Sequence, residues 1–283
     1  MIEQKTLPRL RRPNRRAVIG IVCILIFCLL AGLYITGLTL DERLLEPDFK
    51  LKNQPPSMEH PFGTDFLGRD MFVRTIKGIS LSMYIGLIAS GAASIIALGV
   101  GIVAATGKSW FDHFLNWLID LAMGIPHTVL LILIAIALGR GITGLLVGIA
   151  LTHWTGLARI IRGEVLQIRS KQYITASRNF GKSGFWIAIH HILPHMIPQF
   201  FIGLILQFPH AIMHESGLTF LGYGMPPETP AIGIILSESM KYLSAGMWWL
   251  AFFPGLALVV VVLLIDKLGE SLKLVMDPAS AQE

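Results

Sequence analysis

Long apolar runs separated by short polar segments dominate the pattern of this chain. A helix needs about 20 mostly apolar residues to cross the hydrocarbon core of a bilayer, and most of the runs reach that length. We predict six spans, at residues 17–40, 81–105, 114–138, 142–158, 196–217 and 247–265. The pattern therefore predicts an all-α membrane protein with about six transmembrane helices.

The composition agrees with lipid as the main solvent. Of the 283 residues, 53% are hydrophobic and 14% are charged, whereas about 25% of a soluble domain is charged. Cys23 and Cys28 both lie in the first apolar run, so the sequence offers neither a disulfide framework nor a thiolate metal site. The net charge of +5 comes from cations that flank the spans, so we expect no nucleic-acid partner.

Clustered cations also predict the orientation. Lysines and arginines accumulate before the first span and again between the fourth and fifth spans, and such loops stay in the cytoplasm. With six spans, both termini are then cytoplasmic. We divide the chain into a cytosolic basic tail (1–16), an anchor (17–40), an extracytoplasmic segment (41–78), a core transmembrane domain (79–270) containing a cytosolic loop (159–195), and a cytosolic tail (271–283).

The cytosolic loop has a sequence suited to docking. It contains Tyr-Ile-Thr-Ala-Ser-Arg-Asn-Phe-Gly at residues 173–181, in which Ala176 and Ser177 are small enough for close approach to another surface. Gly181 is suited to end a helix, because glycine adopts the left-handed conformation at low cost. Pro194 is suited to restart the chain into the fifth span. The alternative is an ordinary amphipathic surface helix.

A second motif, His-Pro-Phe-Gly-Thr-Asp-Phe-Leu-Gly-Arg-Asp at residues 60–70, predicts a tight turn. Gly63 and Gly68 supply turn conformations, Asp65 and Asp70 can cap backbone donors, and Arg69 can pair with either acid. Asp70 is also placed to begin the helix of the second span. We favour a rigid turn without direct substrate contact.

Histidines inside predicted spans are candidates for chemistry, because ionisable groups in a membrane face a bundle interior or a cavity. His210 and His214 are four residues apart and share a helix face beside Met213 and Glu215, and His153 lies late in the fourth span. Imidazole binds nickel, copper or zinc well. Hydrogen bonds between helices are the competing interpretation.

Four stretches of the chain resemble the inner-membrane permeases of ATP-driven (ABC) importers, specifically the C-type subunit of the peptide/nickel family. They are residues 60–70, the cytosolic loop, residues 220–230 and the tail around residues 272–278. The loop resembles the family's "EAA" loop, although Thr175 replaces the glutamate and Ser177 the second alanine. The resemblance implies a type I ABC importer permease fold with a cytosolic coupling helix.

The resemblance also implies partners and roles. The chain is expected to be a transport subunit and not an enzyme, without a cofactor of its own, because ATP and Mg would be bound by separate subunits. The expected partners are a second permease subunit, two cytosolic ABC ATPase subunits, an extracytoplasmic solute-binding protein and membrane lipid. The residues expected to couple to the ATPase are Tyr173, Thr175, Ala176, Ser177, Arg178, Gly181, Leu193 and Pro194.

The histidine pattern bears on the substrate. The His153-Trp154 pair and the His-x-x-x-His before residues 220–222 resemble the nickel branch of the family. We therefore expect transport of nickel or another transition metal, free or chelated, with dipeptides or oligopeptides as the alternative. The expected path residues are His153, His210, Met213, His214 and Glu215, with His210 and His214 as transient metal ligands.

Two other classes of protein remain to be weighed. An intramembrane metalloenzyme would need three protein ligands, an open position and a base, and the sequence has no His-Glu-x-x-His. A channel would need no loop that docks an ATPase. Co-purification with an ATPase separates the transporter from both.

Overall fold

The computed structural model describes residues 15–107 and 109–276, and the dominant structure in these ranges is helix. The only β-type pairing among the described residues is an isolated bridge between Thr64 and Asp70. The α-helices of these ranges are α1 (Arg15–Thr39), α2 (Met71–Thr106), α3 (Ser109–Gly124), α4 (His127–Ala137), α5 (Ile142–Arg169), α6 (Gln172–Asn179), α7 (Gly184–Ile187), α8 (Leu193–Phe220), α9 (Ile232–Met240) and α10 (Trp249–Met276). Most of the basic tail (residues 1–14) and the end of the tail motif at residues 277–278 lie outside the described residues.

Five helical segments are long and apolar enough to cross a membrane, or six if one bent pair counts as a single span. They are Val18–Thr39, Met71–Thr106, Ile142–Arg169, Gly184–Phe220 and Trp249–Leu274, and the bent pair is Trp110–Gly124 with His127–Ala137. The prediction of about six spans is confirmed. The all-helical membrane fold class is confirmed as well.

The prediction of the third span as one helix over residues 114–138 is wrong. Helices α3 and α4 meet at an angle of 94° across a break of a few residues. Pro126 is the N-cap of α4, where its missing N–H and fixed φ prevent α3 from continuing. The break places His127 at the first position of α4.

Helices α2 and α5 extend beyond their predicted spans. Helix α2 has 36 residues, which at about 1.5 Å per residue gives a rod of roughly 54 Å, longer than the bilayer is thick. Helix α5 continues to Arg169, so the predicted loop begins inside a helix. The predicted fourth span stopped at residue 158 because polar residues follow it. Ile161 and Val165 are nonetheless fully buried, and they keep this part of α5 packed.

The fifth span also begins earlier than predicted. A π-helical turn, Ala188–Ile192, joins α7 to α8, and the chain is helical from Gly184 to Phe220. Pro194 lies in the first turn of α8, where a proline is tolerated. Pro194 therefore does not restart the chain after a break, and the prediction of such a restart is wrong.

Helix α2 is the centre of the packing. A core cluster near its C-terminal end joins it to α5, to Ile174 of α6 and to Met196 of α8. At Gly101 the α5 backbone comes so near that a Cβ would lie 2.9 Å from the carbonyl oxygen of Ala158. A second cluster, at the N-terminal end of α2, joins it to α1, α9 and α10. One helix thus links the two ends of the molecule.

Candidate functional site

Helix α6 buries one side chain in the body of the protein, and most of its other residues are exposed. Ile174 is 0% exposed and belongs to the core cluster that joins α2, α5 and α8. Tyr173, Thr175, Ala176 and Arg178 are exposed on the same short helix. The predicted coupling residues therefore form an accessible surface on an anchored helix.

The end of α6 is closed by the glycine that the sequence singled out. Gly181 has φ +78°, its N–H donates to the Arg178 carbonyl over 2.9 Å, and the Lys182 N–H donates to the Ser177 carbonyl over 3.1 Å. These two bonds define a Schellman motif, which needs a left-handed residue at this position. The predicted helix end at Gly181 is confirmed.

A hydrogen bond that the sequence did not predict connects α6 to the fifth span. The Ser177 hydroxyl and the Nε2 atom of His191 lie 3.0 Å apart, and His191 belongs to the π-helical turn. Leu193 packs against the same core cluster as Ile174, whereas Pro194 is exposed. Helix α6 is thus connected to both α5 and α8.

At the opposite end of α2, the motif at residues 60–70 is held by an ion network. The carboxylate of Asp65 accepts hydrogen bonds from the Arg69 backbone N–H at 2.9 Å and from Arg69 Nε at 2.7 Å. Arg74 Nη1 donates to the same carboxylate at 2.7 Å, and Arg74 Nη2 donates to Glu238 of α9 at 2.9 Å. The sequence left open whether Arg69 pairs with Asp65 or Asp70, and it did not indicate Arg74 and Glu238.

The second acid of the motif caps α2 as predicted. Asp70 accepts from the Val73 N–H over 3.0 Å, and its other oxygen lies 2.7 Å from Nδ1 of His60. Gly63 (φ +71°) and Gly68 (φ +80°) occupy the left-handed region, and a Cβ at Gly68 would collide with the Asp48 carbonyl oxygen. The geometry is that of a rigid turn.

Three histidines from three different helices meet inside the protein. His127 begins α4, His153 lies within α5 and His214 lies within α8. Their ring centroids are 4.5 Å (His127–His153), 4.7 Å (His127–His214) and 5.1 Å (His153–His214) apart. One ring nitrogen from each lies within 4.8 Å of the other two. We call these residues the histidine cluster.

The other predicted path residues occupy different positions. His210 is exposed and is not a member of the group of three potential metal ligands found among the described residues. The expected pairing of His210 with His214 stays a prediction. Met213 is 54% exposed and Glu215 is 0% exposed. Glu215 accepts hydrogen bonds from the hydroxyls of Ser216 and Thr219 at 3.1 and 3.0 Å, which engages both of its oxygens.

A cavity adjoins the histidine cluster. It has a volume of about 460 Å³ and is lined by His127, His153, the Gly124–Pro126 break and Thr155, among others. His127 escaped the sequence analysis because it has no histidine neighbour at helical spacing. The signal that was available is its position directly after Pro126, where the broken helix turns towards α5.

The fold and these sites together are those of a membrane-embedded permease subunit. The family described as "Binding-protein-dependent transport system inner membrane component" matches residues 97–279. The chain belongs to this family, and it is an inner-membrane permease subunit of an ABC importer. The family is a transport component that works with an ATPase and a solute-binding protein.

Curated relatives cover most of the chain. The dipeptide transport system permease protein DppC of Bacillus subtilis is 34% identical over 227 residues, covering 80% of this chain and 71% of the relative. A putative peptide transport system permease protein of Brucella abortus is 34% identical over 280 residues, covering 98% of this chain and 92% of the relative. A putative peptide permease protein of Brucella suis is 35% identical over 268 residues, covering 94% and 87%.

A solved structure supports the fold. The permease chain in an inward-facing structure of the MetNI methionine ABC transporter superposes with a TM-score of 0.60 at 17% identity, covering 73% of this chain and 98% of that one. The type I ABC importer permease fold predicted from the sequence is therefore confirmed. At this level of identity the likeness concerns the fold alone.

Proposed function

We propose that this chain forms half of the translocation pathway of an importer for short peptides, together with a second permease subunit. The observation that carries this proposal is the description of the relatives, which are named as dipeptide and peptide permeases at 34–35% identity over most of the chain. The peptide alternative is therefore favoured over nickel as the main substrate class. A solute-binding protein would deliver the peptide at the motif end of α2.

The exposed face of α6 is the proposed contact with one of two cytosolic ATPase subunits. Thr175 and Ala176 are exposed there, while Ile174 and the Ser177–His191 hydrogen bond connect the helix to α5 and α8. Closure of the ATPase pair on ATP would draw the two coupling helices together and tilt these spans. The pathway would then alternate between two global states, each favoured by a ligand at the other end.

In this proposal both termini are cytoplasmic and residues 41–78 are extracytoplasmic. The orientation rests on the cations of residues 1–16 and 159–195 and on the need for α6 to meet a cytosolic ATPase. The ion network around Asp65 then lies outside, where its role is to hold the entrance rigid. Path residues beyond the histidine cluster are His210 and Met213, with Glu215 packed behind them.

A transition metal, free or chelated, is the second candidate substrate. The observation that favours it is the histidine cluster, which brings three imidazoles together and places two of them, His127 and His153, beside a cavity. A peptide substrate does not require imidazoles at this position, because small apolar side chains would serve it equally well. The two substrates differ in the donors they require, and so they can be separated by experiment.

The proposal is tested by uptake in a host that lacks its own peptide permeases and expresses the complete transporter with its own ATPases and binding protein. We expect the ATPases to co-purify with this chain, and we expect ATP-dependent uptake of labelled dipeptides that unlabelled peptides compete away. A chain carrying Gly181→Val is the coupling-deficient control. Recovery of this chain without an ATPase would overturn the importer mechanism. Intact ATPase binding without any uptake of dipeptides would overturn the peptide substrate.

A further inference from the structure

We propose that the histidine cluster binds a late first-row divalent metal ion, such as Ni²⁺, Co²⁺, Cu²⁺ or Zn²⁺, within the pathway. The inference rests on the second candidate substrate of the proposed function, a transition metal, and deepens it, because it names the residues that would bind that metal. The metal is cargo, and it passes the cluster while water or a small chelating molecule fills its remaining coordination positions. The site requires His127, His153 and His214 and does not require His210.

The first argument is convergence. The three rings come from α4, α5 and α8, so nothing local in the sequence brings them together. The ring planes are inclined by 83° (His127–His153), 43° (His127–His214) and 77° (His153–His214), so the rings do not stack face to face. Three helices that each direct an imidazole to one point form a tridentate nitrogen site.

The second argument is the state of the ring nitrogens. His153 Nδ1 lies 3.0 Å from the Ile149 carbonyl oxygen, so Nδ1 carries the proton and donates it. Nε2 of His153 is then the unprotonated nitrogen, and a backbone carbonyl that fixes the tautomer in this way is the usual support of a metal-bound histidine. This arrangement leaves the Nε2 lone pair of His153 free for a ligand.

Nε2 of His153 makes no hydrogen bond within the described part of the chain. Nε2 of His153 and Nε2 of His127 are both buried and have no hydrogen-bond partner among the described residues. Leaving such an atom unsatisfied costs about 1–3 kcal/mol. Hydrogen bonding between helices, the competing explanation of these histidines, therefore does not account for them, whereas one metal ion would satisfy both atoms.

The third argument is the choice of donors. Glu215 is adjacent to His214, but its oxygens are engaged by Ser216 and Thr219. Among the His, Cys, Asp and Glu side chains of the described residues, the donors that come together here are the three imidazole nitrogens. Imidazole favours nickel, copper, zinc and cobalt, whereas magnesium and calcium favour oxygen. Three protein ligands leave at least one position open, which suits an ion that must be accepted and released.

Small ring movements would complete the site. Metal–nitrogen bonds of about 2.0–2.1 Å place tetrahedral ligand nitrogens roughly 3.3 Å apart, and the nitrogens here lie within 4.8 Å of one another. The difference is within reach of side-chain rotation towards the ion. The cavity of about 460 Å³ beside His127 and His153 gives space for entry and for the ligands that accompany the ion.

The test uses the complete transporter, purified, freed of metal with a chelator and placed in lipid nanodiscs. Co²⁺ is added as a probe, because its visible absorption reports coordination by nitrogen, and Ni²⁺ and Zn²⁺ are added in competition with a chromogenic chelator. We expect about one equivalent of metal per copy of this chain. His127→Gln, His153→Gln and His214→Gln should each weaken binding more than about 100-fold, beyond the loss typical of a supporting residue.

Two histidine variants serve as matched controls. His195→Gln changes an exposed histidine near the start of α8, and His113→Gln changes an exposed histidine on α3. Both should bind the probe as the wild type does. Thermal unfolding of each variant shows whether it is folded, and the three separate cluster variants keep the test valid if one of them is not.

The outcomes are distinct from those of the proposed function, because binding is measured without transport. Absence of tight metal binding in the wild type, or binding unaffected by all three cluster variants, would overturn the site, while ATPase association and dipeptide uptake would still stand. Metal binding that depends on His210 and not on His153 would also overturn it. Titrating Ni²⁺ alone and Ni²⁺ with excess free histidine distinguishes a hydrated ion from a chelate.

Discussion

Asp65 and Arg74 form an ion pair with 2.7 Å between Oδ2 and Nη1, and both side chains are 3% exposed. Arg74→Met removes the buried charge between Asp65 and Glu238 and leaves Arg69 as their remaining partner. It should destabilise the protein by up to about 3–5 kcal/mol, the cost of an uncompensated buried charge. The measurement is thermal unfolding in detergent, supported by the amount of protein that reaches the membrane.

The control for this variant is Arg159→Gln, which removes a pair to Asp120 whose side chains are 51% and 67% exposed. An exposed pair contributes about 0–1 kcal/mol, so the control should unfold close to the wild type. Equal unfolding temperatures for Arg74→Met and the wild type would contradict the structural role given to the network.

Gly181→Val should weaken ATPase binding without affecting the spans. A non-glycine residue in the left-handed region costs roughly 1–2 kcal/mol, and nothing lies within 4 Å of the position, so the effect is confined to the backbone at the end of α6. The measurement is the amount of ATPase recovered with the purified permease. The control is Gly184→Val, at a position that is also in open space but has no positive φ. This variant should be purified with a normal amount of ATPase. Loss of the ATPase in both variants would show that the conformation of Gly181 is not the cause.

Thr175→Glu should strengthen the contact with the ATPase. The position is exposed on α6 and carries a glutamate in the pattern that the loop resembles. A charge-assisted hydrogen bond contributes about 1.5–3 kcal/mol, which corresponds to roughly tenfold or more in the dissociation constant. Titration of the permease with the purified ATPase measures this dissociation constant. Thr175→Gln, which is matched in size but uncharged, should gain much less, and equal gains would exclude the ionic contact.

Ile174→Ala should uncouple ATP hydrolysis from transport. The side chain is fully buried, and truncating a buried isoleucine costs about 2–5 kcal/mol, which here falls on the attachment of α6. Hydrogen exchange in residues 172–179 should become faster, and transport per ATP hydrolysed should fall. A variant with unchanged exchange and unchanged transport would show that Ile174 is not the anchor. Ile160→Ala, at a position that is 52% exposed, is the control.

The sequence predicted the elements that the bilayer itself imposes. Apolar length identifies the spans because lipid cannot satisfy free backbone groups, and Gly181 and Asp70 were found because helix ends have local chemical requirements. The extent of α5 was missed because burial at Ile161 and Val165 depends on other helices. Arg74 and Glu238 are 164 residues apart, and His127, His153 and His214 come from three helices, so neither grouping can be inferred from spacing along the chain.

The length and continuity of α2 have a mechanical consequence. The helix runs without interruption from Met71, next to the turn held by Asp65, to Thr106, next to the cluster that anchors Ile174. A rod of roughly 54 Å that tilts by about 10° displaces its far end by on the order of 9 Å. A modest rotation of α2 imposed at the end near Ile174 would therefore move the turn held by Asp65, as one rigid body, by a distance comparable to the width of a small solute.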